Sequence, residues 1–311
     1  MANQNEQIEN MSPDMFKVVG GRSAETDKLS KKSVSFWKEV ILRFTQNKLS
    51  IVGVIILVIM ILMAIFVPIF SPYTYNQMLG NYNAPPSAEH WFGTDDLGRD
   101  VFVRAWDGAR ISLFIGITAA LIDLVIGVLW GSISGLAGGR VDNIMMRIAD
   151  VLSAVPYLLV VIILLVVLEP GILPMIIALS ITGWVNMARI VRGEVLSIKN
   201  QEYVLAARTL GANTGHLIRK HIVPNALGAI LVTMTLTIPS AIFTESFLSF
   251  LGLGVPQPIP SWGTMASEGM KALMTAPWRL FFPAFLISIT IFAFNAVGDG
   301  LRDALDPKLR K

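Results

Sequence analysis

Apolar and polar positions in this chain alternate in long blocks rather than along faces, and six apolar runs stand out. The first, Leu49–Phe70, holds no charge and at about 1.5 Å per residue covers the roughly 30 Å hydrocarbon core of a bilayer. Pro68 and Ser71-Pro72 close it. The second, Ile111–Ile133, is interrupted only by Asp123, and the third, Ile144–Leu168, carries Asp150 and Pro156. The fourth is Ile172–Ala188, the fifth Asn225–Leu248 with Pro239 and Glu245, and the sixth Leu280–Val297. Just before the first run, Trp37–Lys48 sets apolar and basic residues at helical spacing, as an interfacial helix does. The pattern predicts an all-α integral membrane protein with six transmembrane helices, because only helices and closed barrels satisfy their backbone in lipid.

Composition agrees: of 311 residues 53% are hydrophobic and 15% charged, against roughly 25% charged in soluble domains. There is no cysteine, which excludes disulfides and thiolate chemistry. Residues 1–35 are polar without apolar periodicity and read as a disordered tail. Six crossings put both termini on one side, and basic residues choose which. Only Arg99, Arg104, Arg110, Lys271 and Arg279, of 25 lysines and arginines, fall on the other side. Both termini are therefore expected in the cytoplasm, as are the 189–224 loop and the tail at 303–311. Residues 71–108 and the Gly-, Pro- and Trp-rich loop at 252–279 are expected outside. The net charge of +3 reflects this topology, and nothing in it calls for nucleic acid.

Candidate chemistry is sparse. No Gly-x-x-x-x-Gly-Lys-Ser/Thr pattern occurs, so the chain lacks that phosphate cradle. Gly138-Gly139-Arg140 sits in the tight turn expected over Gly135–Asp142. His90, His216 and His221 are dispersed, and the last two, five apart, do not share a face of an α-helix. No metal site is expected, and no Gly-x-Ser-x-Gly elbow marks a hydrolase. Acids inside spans read as functional by default. Asp150 and Glu245 fall near span ends, where pairing with a neighbour or reaching headgroups is open to them. Asp123 is mid-span and either lines a wet path or meets a donor from a partner subunit.

The polar island at 202–224 contrasts with its surroundings. Ala206, Ala207 and Gly211 give it little side-chain bulk, while Arg208, Arg219 and Lys220 keep it out of hydrocarbon. Gly211 fits a C′ glycine ending one helix, Asn213 or Thr214 a cap for a second, and Pro224 a boundary before the fifth span. A helix lying on headgroups would carry more bulky anchors. A helix–turn–helix on which a soluble protein docks closely is the better reading.

Three blocks then resemble one family. Leu205-Ala206-Ala207, Gly211 and His221-Ile222-Val223-Pro224 resemble the EAA loop of ABC-importer permeases. Leu205 stands where the wider family has Glu, His221 where it has Ile and Val223 where it has Leu. The neighbouring Glu202, Tyr203, Arg208 and Ala212, with Arg219-Lys220 and Asn225, resemble the peptide-permease branch. Phe92-Gly93-Thr94-Asp95-Asp96-Leu97-Gly98-Arg99-Asp100 and Gly108–Leu113 are similar to the entry block of C-type subunits of dipeptide and oligopeptide importers. Ser246–Gly254 and Pro260-Ser261-Trp262-Gly263 resemble their late block. The resemblance covers about residues 36–308.

It implies the type I (MetI-like) importer permease fold, in a bacterial cytoplasmic membrane. The five-helix core would be 109–302, preceded by the interfacial helix and first span at 36–70. The implied partners are a B-type permease, two cytoplasmic ABC ATPases that use ATP and Mg, and an extracytoplasmic peptide-binding protein. No cofactor is implied for this chain. The 202–224 loop would be the coupling helix, and Asp95, Asp96, Arg99, Asp100 and Trp262 would be extracytoplasmic or gate residues. A nickel-type permease shares these motifs, and a proton-coupled secondary transporter fits the hydropathy alone.

Overall fold

The computed structural model describes residues 36–305, so the expectations for 1–35 and for 306–311 lie outside the described residues. Helix α1, Phe36–Gln46, is followed at once by α2, Lys48–Phe70, whose N-cap Asn47 accepts from the Leu49 and Ser50 amides. Most of α2's large apolar residues are exposed along its length, among them Ile55, Ile59, Leu62 and Phe66. A helix apolar on every side has lipid as its solvent.

Helix α3, Val101–Ala137, is capped by Asp100, which accepts from the Val103 amide at 2.9 Å. It begins ten residues before the expected second span. Its 37 residues, about 55 Å long, overreach the hydrocarbon core. The turn expected over Gly135–Asp142 shrinks to Gly138, and α4, Gly139–Ala154, follows. The expected third span is broken. Val155 and Pro156 are extended, as the residue before a proline tends to be, and α5, Tyr157–Leu168, leaves α4 at 79°. Helix α6, Ile172–Ile198, carries Arg189 and Arg192 within its last three turns, so residues 189–198 are helix rather than loop.

Two short helices come next, α7, Glu202–Thr209, and α8, Thr214–Leu217. A π-helical turn, Ile218–Ile222, joins α8 directly to α9, Val223–Phe250. Pro224 therefore lies within a continuous helical path, not at a break. A proline removes one helical donor. Nearby the Val223 amide reaches back to Ile218 O and Asn225 Nδ2 donates to His221 O at 2.6 Å. Helix α10, Trp262–Lys271, opens on a reciprocal capping box between Ser261 and Thr264, and α11, Trp278–Leu305, closes the described chain. Among the described residues five helices are long and apolar enough to cross a membrane, or six spans if α4–α5 counts as one. The described residues contain no strand, only an isolated bridge between Thr94 and Asp100.

From Leu42 onward the described residues form one compact unit. Its central seam is α3 against α6, and glycines make it. Gly127, Gly131 and Gly135 recur every fourth residue on α3 and face Met187, Ala188 and Val195 on α6. A Cβ added at Gly127 would meet Met187 at 2.6 Å, one at Gly135 would meet Val195 at 2.7 Å, and one at Gly131 would collide with the Ala188 carbonyl. Small residues at this spacing let two helix backbones touch, which is how helices associate where lipid removes the hydrophobic driving force.

Gly131→Leu is expected to cost at least about 1–3 kcal/mol as overpacking against a backbone. Gly193→Ala on α6 has nothing within 4 Å and should not destabilise. Thermal unfolding of the two variants in detergent, against the parent, checks this pair.

Candidate functional site

One end of the seam carries the α7–α8 hairpin. Its turn closes by a Schellman arrangement: the Gly211 amide bonds Arg208 O and the Ala212 amide bonds Ala207 O, both at 3.0 Å. Gly211 has φ +87°, the left-handed region that favours glycine. Asn213 then caps α8 by accepting from the His216 amide at 2.8 Å. Of the two caps the sequence allowed, Asn213 is the one used.

Val204 anchors the hairpin, fully buried in a cluster with Val195 and Ile198 of α6, Leu136 of α3, Leu217 of α8, and Ile222 and Ala226 at the root of α9. Ala207 and Ala212 pack partly against the same cluster, so Ala207 is small toward the protein rather than toward an open face. The outer face consists of Glu202, Tyr203, Leu205, Ala206, Arg208 and Leu210, the last 88% exposed. His216 and His221, expected on different faces, bring their rings to 6.0 Å, and Tyr203 lies 6.0 Å from His221. The π turn after α8 makes the difference, because its longer repeat aligns residues five apart. Pro224 is exposed beside them.

Sequence reasoning missed what holds this end. Arg192 makes a bidentate pair with Asp142 through Nε and Nη2, both 2.6 Å, and Ser134 also donates to Asp142. Lys199 Nζ donates to Gly135 O at 3.0 Å. Helices α3, α4 and α6 are thereby tied just above the hairpin. The legible signal was Gly127-x-x-x-Gly131-x-x-x-Gly135, which predicts a close helix pair and hence which loops meet.

At the opposite end of α3, four of the five extracytoplasmic or gate candidates are buried. Asp95 accepts from the Leu97 and Arg99 amides and pairs with Arg99 Nε at 2.6 Å and Arg104 Nε at 3.3 Å. Glu268 of α10 lies 3.6 Å from Arg99 and 3.3 Å from Arg104. Asp100 caps α3 and bonds His90 Nδ1 at 2.8 Å. Trp262 is fully buried with Nε1 on Ala105 O at 2.9 Å. Asp96 alone is exposed, holding Arg279 at 2.9 Å.

The three acids within the helical region divide. Asp150 is exposed and pairs with Arg189 at 3.0 Å. Glu245 sits among hydroxyls and away from any exposed surface, accepting from Ser112 and Ser249 at 2.8 Å and from Ser246 at 3.3 Å. Pairing with neighbours, one of the two options open to them, accounts for both. Asp123 has no such partner: Oδ1 is buried without a hydrogen bond, in a groove between α3, α5, α6 and α9.

The described residues are thus helical and without strands, with a packed hairpin at one end and a polar groove between the spans. A chain of the MetNI methionine ABC transporter, solved in inward facing conformations, shares the fold with a TM-score of 0.54 at 17% identity, over 66% of this chain and 96% of that one. Residues 127–311 match the family described as "Binding-protein-dependent transport system inner membrane component". Residues 35–86 match "N-terminal TM domain of oligopeptide transport permease C". The chain belongs to this family of multi-pass inner-membrane permeases, in the C-subunit branch. The oligopeptide transport system permease protein OppC of Bacillus subtilis is 66% identical over 98% of this chain and all of that protein. The dipeptide transport system permease protein DppC of the same organism is 54% identical over 99% of this chain and 97% of the other. The Escherichia coli OppC is 43% identical over 92% and 95%.

Breaking the Asp95 centre should be costly. Asp95→Ala leaves two buried guanidiniums short of a partner and is expected to lose about 3–5 kcal/mol, whereas Asp95→Asn, which still accepts hydrogen bonds, should lose less. Denaturation in detergent would order the two.

Proposed function

We propose that this chain is the C-type membrane subunit of an ATP-driven importer for oligopeptides or dipeptides. It forms half of a translocation path with a B-type permease and couples through α7–α8 to one of two cytoplasmic ATPases. Those ATPases bind ATP and Mg, this chain is non-catalytic, and an extracytoplasmic peptide-binding protein delivers the substrate. The names of the relatives support the substrate class. Positive charge supports the orientation, since the hairpin end carries Arg192, Lys199, Arg208, Arg219 and Lys220.

The observation that carries the coupling role is how the hairpin is held. Val204 is locked into a close-packed cluster shared by α3, α6 and α9, and interiors packed at this density transmit displacement rather than absorb it. The outer face, with Tyr203, Leu205, Ala206 and Leu210, is left for a partner. Leu205, standing where the wider family has an acid, makes that contact one of packing, and the exposed Leu210 adds to it. The same three helices line the groove around Asp123, so a push on α7 shifts the walls of the path. Nucleotide on the ATPases then acts by shifting the population between two packings of the spans. The segments 71–108 and 252–279 at the far end of α3 offer the surface for the binding protein, with Glu89, Asp96 and Lys271 among its exposed charges.

Leu210→Asp or Ala206→Arg is expected to cut peptide uptake at least about tenfold, the effect of a desolvated charge in a contact. Membrane insertion should be unchanged, and the ATPase should no longer co-purify. Normal uptake with either variant would overturn the docking role.

A further inference from the structure

The groove between α3, α5, α6 and α9 encloses about 290 Å³ and has an unusual lining. Asp123 of α3 is 5% exposed, its carboxylate pressed on the Gly183 backbone and Oδ1 unbonded. Across from it, α9 presents Thr233, Thr237, Ser240 and Thr244, spaced four, three and four apart on one helical face. Three of these hydroxyls have already committed their protons: Thr233 donates to Ala229 O at 2.7 Å, Thr237 to Thr233 O at 2.9 Å and Thr244 to Ser240 O at 2.8 Å. Tyr157 of α5 directs its hydroxyl to Leu179 O at 3.4 Å. Hydroxyls so used keep only lone pairs for the groove. The groove thus offers mainly acceptors, with the Ser240 hydroxyl and the Asn186 amide as donors, and no lysine, arginine or histidine lines it.

A buried carboxylate without a partner is costly, and its cost falls only if a cation or a donor reaches it. We infer that the groove is a subsite for a primary ammonium group, and that its occupant is the free N-terminal amine of a peptide in transit. The second half of this rests on the function proposed above. Asp123 supplies the charge, and the row of threonine oxygens accepts from the remaining ammonium protons and from the N–H groups of the following peptide units. Such a lining reads no side chain, so it fits a path shared by peptides of many sequences. A metal ion fits less well, since no group of three or more acidic or histidine side chains is gathered among the described residues.

The chain contains no cysteine, so Ser240→Cys places a single reporter thiol of this subunit on the groove wall. Membrane vesicles from cells expressing the complete transporter are treated with aminoethyl or sulfonatoethyl methanethiosulfonate, and labelling of this subunit is followed. The cationic reagent should react faster, and adding Asp123→Asn should reduce the cation-to-anion rate ratio about tenfold. Thr237→Val, which leaves the charge in place, should reduce it only about two- to threefold and serves if the Asp123 variant fails to accumulate. Trialanine should protect the thiol and N-acetyl-trialanine should not. A thiol inert to both reagents, or a ratio indifferent to both substitutions, would overturn the subsite. Protection by ethylammonium but not by trialanine would keep the ammonium site and reject the peptide as its occupant. Loss of peptide uptake by the parent transporter would count against the proposed function alone, because the rate ratio needs no transport.

Discussion

The contact on which the rest of the molecule depends is the one between the backbones of α3 and α6. With Gly127, Gly131 and Gly135 turned toward α6, the two helices meet without side chains between them on α3's side. Lipid gives apolar helices no reason to leave it, so the attraction must come from dispersion and backbone proximity, which only small residues allow. Once the seam is set, Asp142, Arg192 and Lys199 meet the end of α3, and the base for Val204 is formed. Toward the middle of the seam Gly183 lets Asp123 lie against α6 and opens the groove to α9. Anchor and groove are consequences of one packing decision.

Acids in the interior of the protein are handled in two ways. Glu245 is surrounded by Ser112, Ser246 and Ser249, and Asp95 by Arg99 and Arg104; each ties several elements together. These are interior fixtures, satisfied at every oxygen that the surroundings can reach. Asp123 differs by having a carboxyl oxygen left over beside open volume. That contrast separates acids held by fixed partners from one left beside open volume.

The hairpin and the groove sit at different heights on the same helices. Side chains of α3, α6 and α9, helices that also line the groove, pack around Val204 of α7. The hairpin turn is sharp and well determined, closed by the Schellman arrangement at Gly211. The bulky Leu205 and Leu210 stay exposed, while the small Ala207 and Ala212 let the hairpin sit close to its own protein.

Much of this was determined by the sequence alone. Uncharged runs such as Leu49–Phe70 have only one solvent in which their backbones are satisfied, so membrane helices followed directly. Gly211 and Asn213 specified a turn and a cap because those roles are local, fixed by dihedral angles and by side chains one turn away. The three motif blocks placed the chain among permeases for the same reason: they are short and contiguous. Tertiary structure decided what depends on neighbours far along the chain. It broke the third span at Pro156, carried α8 through a π turn into α9, and brought His216 to His221. It turned Asp95, Arg99, Asp100 and Trp262 inward and Ala207 toward the core. Burial and pairing are properties of the packed seam, and no single stretch of residues encodes which of its acids, Glu245 or Asp123, will be left facing open space.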